Sequence, residues 1–178
     1  MVSLKQNSGF TLLEIMTVIT IIVILSTIIV ADYGSFGKKN AVVAAAQGMA
    51  SNIRKAQSFS LSGKDVHKLT ENNDGRWGLY FGRSQTDYVI FADTNKNNAY
   101  DSDEDYLTVN LPRGVTIDSF LNGGDSVSLL YIPPNPIIVL KNSAMGATTS
   151  EEIILKENSS GYIKKVQINN FGLVNISD

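Results

Sequence analysis

The sequence predicts an α+β fold, in which one long N-terminal helix packs on a β-rich, antiparallel globular head. Two observations lead to this prediction. Apolar residues fill the segment from Ile15 to Ala31 almost completely, and further along they recur at spacings of four and three, which is typical of a helix. After Gly63 the apolar residues alternate with polar ones in short runs separated by turn residues, which is typical of strands.

The first half of the predicted helix is long enough to cross a membrane. The seventeen residues from Ile15 to Ala31 span about 26 Å as a helix, and the length from Phe10 is about 33 Å, against a hydrocarbon core of about 30 Å. One carboxylate, Glu14, stands at the start of this segment. An unpaired carboxylate costs roughly 2.5–3.5 kcal/mol at the bilayer centre and less near its edge, so we expect Glu14 to have a partner.

The second half of the predicted helix, from Ala41 to Leu61, is amphipathic. Its apolar residues form a single stripe, which we expect to pack on the sheet. The residues of this stripe are Val42, Ala46, Met49, Ile53 and Ala56. Gly34 and Gly37 separate the two halves, and we expect a bend or local melting there, because a helical glycine costs about 1 kcal/mol relative to alanine.

Nine strands are predicted after the helix. Their ranges are 76–82, 87–92, 105–110, 115–117, 126–132, 137–140, 151–156, 162–169 and 173–176. We expect the first two to form a hairpin, and likewise the seventh and eighth, because a short stretch of turn-forming residues separates the members of each pair.

The residues around Gly9 resemble the processing site of type IV prepilins and type II secretion pseudopilins. The sequence Gly-Phe-Thr-Leu-Leu-Glu begins at Gly9, directly before the apolar segment and after a short polar leader that carries one cation, Lys5. The resemblance implies that a membrane peptidase cuts between Gly9 and Phe10 and methylates the new N-terminus at Phe10. It also implies that Glu14 pairs with the N-terminal amine of a neighbouring subunit during assembly.

This resemblance divides the chain into a leader (1–9), a transmembrane and assembly helix (10–33), an amphipathic second half of the helix (34–62) and the β-rich head (63–178). It implies a single-pass protein of the cytoplasmic membrane with an extracytoplasmic head, which later enters a pilus or pseudopilus. The implied partners are other pilin or pseudopilin subunits, the peptidase-methyltransferase and the membrane platform. A secretory signal peptide or a plain signal anchor is the alternative, although a signal peptide has a shorter apolar core followed by a small-residue cleavage site.

The head resembles GspH/FimT-type minor pseudopilins. The similar stretches are WGLYF from Trp77, YVIFADTNKNNAYDSDED from Tyr88 and VQINNFGLVNI from Val166. The chain has no cysteine, whereas many pilins of Gram-negative bacteria have a disulfide. We therefore expect a structural subunit, a minor pilin or pseudopilin with a pilin-like fold. A major shaft pilin, a DNA-receptor minor pilin of a competence system, and an anchored enzyme or adhesin are the alternatives.

The connection from Asp93 to Glu104 has the spacing of an EF-hand calcium loop. Oxygen-bearing side chains occupy loop positions 1, 3, 5, 9 and 12, and a backbone carbonyl falls at position 7. The predicted ligands are Asp93, Asn95, Asn97, Ala99, Asp101 and Glu104. Position 6 is Asn98 where such loops normally have glycine, and asparagine also adopts the left-handed conformation. A long connection rich in turn-forming Asn and Asp is the alternative.

A small basic and aromatic patch on the last predicted hairpin makes DNA a candidate partner, because nucleic-acid binding combines cations for phosphates with aromatic rings for bases. Its residues are Lys156, Tyr162, Lys164 and Lys165. The formal net charge is −2, however, and a solvated strand edge is the alternative. We interpret the single histidine, His67, as a solvated loop residue. Paired catalytic acids, zinc-spaced ligands and a phosphate-binding glycine loop are absent from the sequence, so it predicts no enzyme.

Overall fold

The computed structural model describes residues 9–64, 74–134 and 137–178, which form one helix and ten strands. The helix, α1, covers Leu12–Leu61. The strands are β1 (Trp77–Gly82), β2 (Asp87–Ala92), β3 (Asp105–Asn110), β4 (Val115–Phe120), β5 (Ser126–Ile132), β6 (Ile137–Asn142), β7 (Gly146–Ala147), β8 (Ser150–Glu157), β9 (Ile163–Asn169) and β10 (Val174–Ser177). The predicted α+β class is confirmed.

The chain consists of two compact units, an N-terminal unit (Met1–Gly37) and a C-terminal unit (Lys38–Asp178). The backbone of α1 remains helical through Gly34 and Gly37, so the local melting that we predicted at these glycines does not occur. Each glycine lowers helix stability by only about 1 kcal/mol relative to alanine, and the hydrogen bonds of the helical residues on both sides offset this cost.

The C-terminal unit contains two antiparallel sheets. The first has six strands in the order β3-β2-β1-β5-β6-β7, and the second has four in the order β10-β9-β8-β4. Both predicted hairpins are confirmed, because β1 pairs with β2 and β8 pairs with β9 in antiparallel register. The two-residue strand β7 was not predicted, since two residues are too short to show an alternating pattern.

The apolar stripe of α1 lies in the core of the C-terminal unit, as predicted. All five stripe residues are completely buried, and they share one hydrophobic cluster with inward-facing side chains of both sheets. Leu79 on β1, Ile117 on β4 and Ile153 on β8 are examples from the two sheets. Fully burying a valine, methionine or isoleucine side chain contributes about 1.5–3 kcal/mol to the free energy of folding. The second half of α1 is therefore an integral part of this core.

A buried polar link joins the two sheets. Glu151 on β8 accepts a 2.8 Å hydrogen bond from the side-chain amide of Asn142 on β6, and each residue is only 2% exposed. Asn122, between β4 and β5, donates two further bonds to the same carboxylate, from its backbone N–H at 3.2 Å and its side chain at 3.1 Å. Because a buried carboxylate is tolerated when its oxygens are hydrogen-bonded, this network ties the sheets together in a chain without disulfides.

Candidate functional site

The predicted cleavage site lies in an exposed, non-helical segment. Gly9 and Phe10 precede the first turn of α1, and the Phe10 side chain is 80% exposed. A Cβ atom added to Gly9 would meet no heavy atom within 4 Å. Since proteolysis favours exposed segments outside regular structure, the Gly9–Phe10 bond is open to a peptidase. Residues 1–8 of the predicted leader lie outside the described residues.

Thr11 fixes the point at which α1 begins. Its hydroxyl oxygen accepts the backbone N–H of Glu14 at 3.2 Å, and its carbonyl accepts the N–H groups of Glu14 and Ile15 at 3.1 and 3.2 Å. Threonine is a preferred N-cap residue, and an acid three residues later is the common companion. We did not assign this role from the sequence, although the Thr-x-x-Glu spacing was the signal for it.

The first half of α1 is apolar on every side and exposed in the isolated chain. Large aliphatic side chains from Leu12 to Ile29 are each about half exposed or more, and no part of the most apolar 18-residue window is buried. In the described part of the chain, this is the one helix long and apolar enough to cross a membrane. An apolar surface of this size is unstable in water, so it needs lipid or other protein around it.

Three threonine hydroxyl groups of this apolar segment are satisfied inside the helix. Thr17 donates to the carbonyl of Glu14, Thr20 donates to that of Met16 and Thr27 donates to that of Val23, each at 2.8 Å. Such internal bonds are required of polar groups in a lipid environment. Glu14 is the one ionisable residue between Phe10 and Ala31. Its side chain is exposed, so it is the group available to pair with a cation from outside the helix.

The predicted calcium loop connects β2 to β3 and has a buried acid at each end. Asp93 is fully buried and Glu104 is 1% exposed. Glu104 accepts the backbone N–H groups of Thr94 at 2.8 Å, Asn95 at 3.3 Å and Asp101 at 3.4 Å. Burial raises the pKa of Glu104, and the three backbone hydrogen bonds oppose this rise. The two ends of the loop are therefore held closely together.

The middle of the same loop gathers three other predicted ligands. The side-chain amides of Asn95 and Asn97 both donate to the same oxygen of Asp101, at 2.8 and 2.6 Å. Asn98 has a φ of 59°, the left-handed conformation expected at position 6. The backbone N–H of Ala99 donates to Asn97 at 2.7 Å. No three Asp, Glu, His or Cys side chains among the described residues come together as a metal-binding group.

The structure does not gather the four residues of the predicted DNA-binding patch into one basic surface. Lys156 and Lys165 lie on one face of the second sheet, whereas Lys164 pairs with Leu155 on the opposite face, because successive residues of a strand alternate. Each lysine also has an acidic partner: Asp118 at 3.4 Å for Lys156, Asp178 for Lys164 and Glu152 at 3.6 Å for Lys165. Tyr162 stands just before β9 and is 38% exposed. His67, the solvated loop residue of our prediction, lies outside the described residues.

Comparison with known proteins bears on the N-terminal segment alone. No curated protein and no solved structure matches the chain. Residues 4–30 match the sequence model of a family described as the prokaryotic N-terminal methylation motif. This match covers Gly9, Phe10, Glu14 and most of the apolar half of α1, and it supports a processed, membrane-anchored subunit of the type IV pilin kind.

Proposed function

We propose that this chain is a minor pilin or pseudopilin, a structural subunit of a type IV pilus or of a type II secretion-like pseudopilus. The observation that carries the proposal is the coincidence of the methylation motif with an exposed, all-round apolar helix that has a single carboxylate near its start. In this role the peptidase removes the leader, the apolar helix holds the subunit in the cytoplasmic membrane, and assembly then transfers that helix from lipid to protein.

Transfer into a filament is nearly neutral for the aliphatic side chains, because neighbouring helices are about as apolar as the lipid that they replace. Glu14 is the exception, since a lone charge in an apolar environment is expensive. Cutting after Gly9 creates an ammonium at Phe10, which a neighbouring subunit can bring to Glu14. Each charge then offsets the desolvation cost of the other. A filament in which the two charges are paired therefore has a lower free energy than one in which they are not.

The cap at Thr11 suits this arrangement. The mature chain would begin only one residue before the cap, so the new amine lies at the very start of α1, outside its hydrogen-bonded turns. The backbone N–H of Glu14 is already engaged by Thr11, and its exposed carboxylate remains available to another subunit. The match to the methylation motif favours a structural role over that of an anchored enzyme.

Intact-mass spectrometry tests the processing step. The full chain is coexpressed with its peptidase, extracted from membranes and weighed, and we expect a mature chain that begins at Phe10 and carries one added methyl group. Gly9→Val should block cleavage without affecting the fold, because Gly9 has open space around it. Gly34→Ala, at another open glycine, is the control and should be cleaved normally. A native chain that keeps Met1, or is cut after Ala31, would contradict the proposal.

A further inference from the structure

We propose that the connection between β2 and β3, residues Asp93 to Glu104, binds one calcium ion. The ligands would be the carboxylates of Asp93, Asp101 and Glu104, the side-chain oxygens of Asn95 and Asn97, and the carbonyl of Ala99. This site belongs to the C-terminal unit, so calcium binding can be tested independently of the proposed role in a filament.

The observation that carries the inference is a buried, unpartnered oxygen on Asp93. Oδ2 of this carboxylate accepts the backbone N–H of Asn98 at 3.2 Å, so the group lies against the inside of the loop, and it also contacts Arg76 at 3.3 Å. Oδ1 is buried and has no hydrogen-bond partner in the described part of the chain. Because a buried oxygen of an ionised carboxylate is costly when unpaired, a hard cation at Oδ1 would relieve that cost.

The three carboxylates of the proposed site, Asp93, Asp101 and Glu104, do not come together as one group in the described part of the chain, so their side chains would have to close around the ion. Positions 3 and 5 are Asn95 and Asn97, whose amide oxygens are neutral ligands, and calcium accepts amide and backbone carbonyl oxygens in addition to carboxylates. Both asparagine side chains already meet at Asp101. Their amide oxygens accept the backbone N–H groups of Asn97 at 3.0 Å and of Ala99 at 2.7 Å, and each oxygen has a second lone pair that an ion could use.

Arg76 limits how strongly the loop can hold an ion. Its guanidinium lies 3.3 Å from Asp93 and donates to Asn98 at 2.9 Å, which places one positive charge beside the first ligand. With this cation nearby and neutral amides at two positions, we expect the weak affinity class, a Kd of about 10⁻⁴–10⁻³ M. Such a site is filled where calcium is millimolar and empty where it is scarce.

Terbium luminescence tests the site directly in the full chain in detergent. Terbium replaces calcium in oxygen sites and emits when a nearby tyrosine is excited, and Tyr100 stands in the loop itself, with its ring stacked 4.1 Å from that of Tyr80. We expect a saturable signal that millimolar calcium displaces and magnesium does not, since magnesium requires a smaller octahedral site.

Two matched variants locate the ion. Asp101→Asn removes one ligand charge but keeps an oxygen that can accept from Asn95 and Asn97, and we expect affinity to fall by about tenfold or more. Asp103→Asn removes the same charge from an exposed position outside the ligand set and should change affinity by less than about threefold. Calcium at ten times its Kd should also raise the melting temperature of the native chain by about 3–5 °C. Absence of a saturable signal, or equal binding by both variants, would overturn the inference.

Discussion

The side chains of Glu151 and Asn142 form a 2.8 Å hydrogen bond that connects β8 of one sheet to β6 of the other, at a point where both residues are almost fully buried. Removing the donor leaves a buried carboxylate with one fewer partner. We therefore expect Asn142→Ala to destabilise the C-terminal unit by about 1–3 kcal/mol. Thermal unfolding in detergent, followed by the fluorescence of the single tryptophan, Trp77, measures this change.

A surface asparagine provides the control for that measurement. Asn175 on β10 is exposed and makes one 3.3 Å bond to Gln167, so Asn175→Ala should change the free energy of unfolding by less than about 0.5 kcal/mol. Equal effects of Asn142→Ala and Asn175→Ala would show that the link between the sheets contributes no more than a surface bond.

Glu157 makes the stability of the C-terminal unit depend on pH. Its carboxylate accepts hydrogen bonds from the side chains and backbone N–H groups of Ser160 and Ser159, which lower the pKa of Glu157 to about 2. A carboxyl group with a lowered pKa stabilises the fold above its unfolded pKa of about 4.3, and this contribution is lost as the pH falls from there towards 2.

The comparison with Glu157→Gln isolates this contribution. We expect the native chain to melt at a higher temperature than Glu157→Gln at pH 5, and the difference to shrink steadily between about pH 4 and pH 2. If the difference in melting temperature between the two proteins stayed constant across that pH range, the serine hydrogen bonds would not favour the ionised form of Glu157.

Two glycine-to-alanine substitutions should act in opposite directions. At Gly78 on β1, an added Cβ would lie 2.5 Å from the ring of Phe91 and 2.6 Å from the backbone oxygen of Leu129, so Gly78→Ala should destabilise by about 1–3 kcal/mol. At Gly48 on α1 no atom lies within 4 Å, and Gly48→Ala should stabilise by about 0.5–1 kcal/mol through helix propensity. Thermal unfolding measures both, and a loss of stability in Gly48→Ala would show that this face of the helix tolerates no added methyl group.

Glu14→Gln should separate folding from assembly. Glu14 is exposed and remote in sequence from the buried part of α1, so the melting temperature of the C-terminal unit should not change. Loss of the charge that we propose pairs with a neighbouring Phe10 amine should lower the amount of subunit in sheared filaments by about tenfold or more. Thr17→Val, which removes a hydroxyl bonded within its own helix, is the control and should assemble normally. Normal incorporation of Glu14→Gln would refute the charge-pairing role.

Most of the fold was predictable because each element shows its own period. The α1 stripe repeats every three to four residues and the strands alternate, and these patterns reflect which side chains face the core. Strand β4 was predicted to end at Ile117 but continues to Phe120, because a bulge between Ile117 and Ser119 shifts the alternation. The site was less predictable: adjacent lysines look like one patch in sequence, but the register places Lys164 and Lys165 on opposite faces.

The burial of the α1 stripe determines which fragment of this protein can fold in water. A chain starting at Lys38 would keep all five stripe residues and omit the exposed apolar half of α1, so it should be soluble and retain its core. A chain starting after Leu61 would lose those residues and leave both sheets with an uncovered apolar side. The second half of α1 is thus part of the core, so extracting it from between the sheets would require unfolding the C-terminal unit.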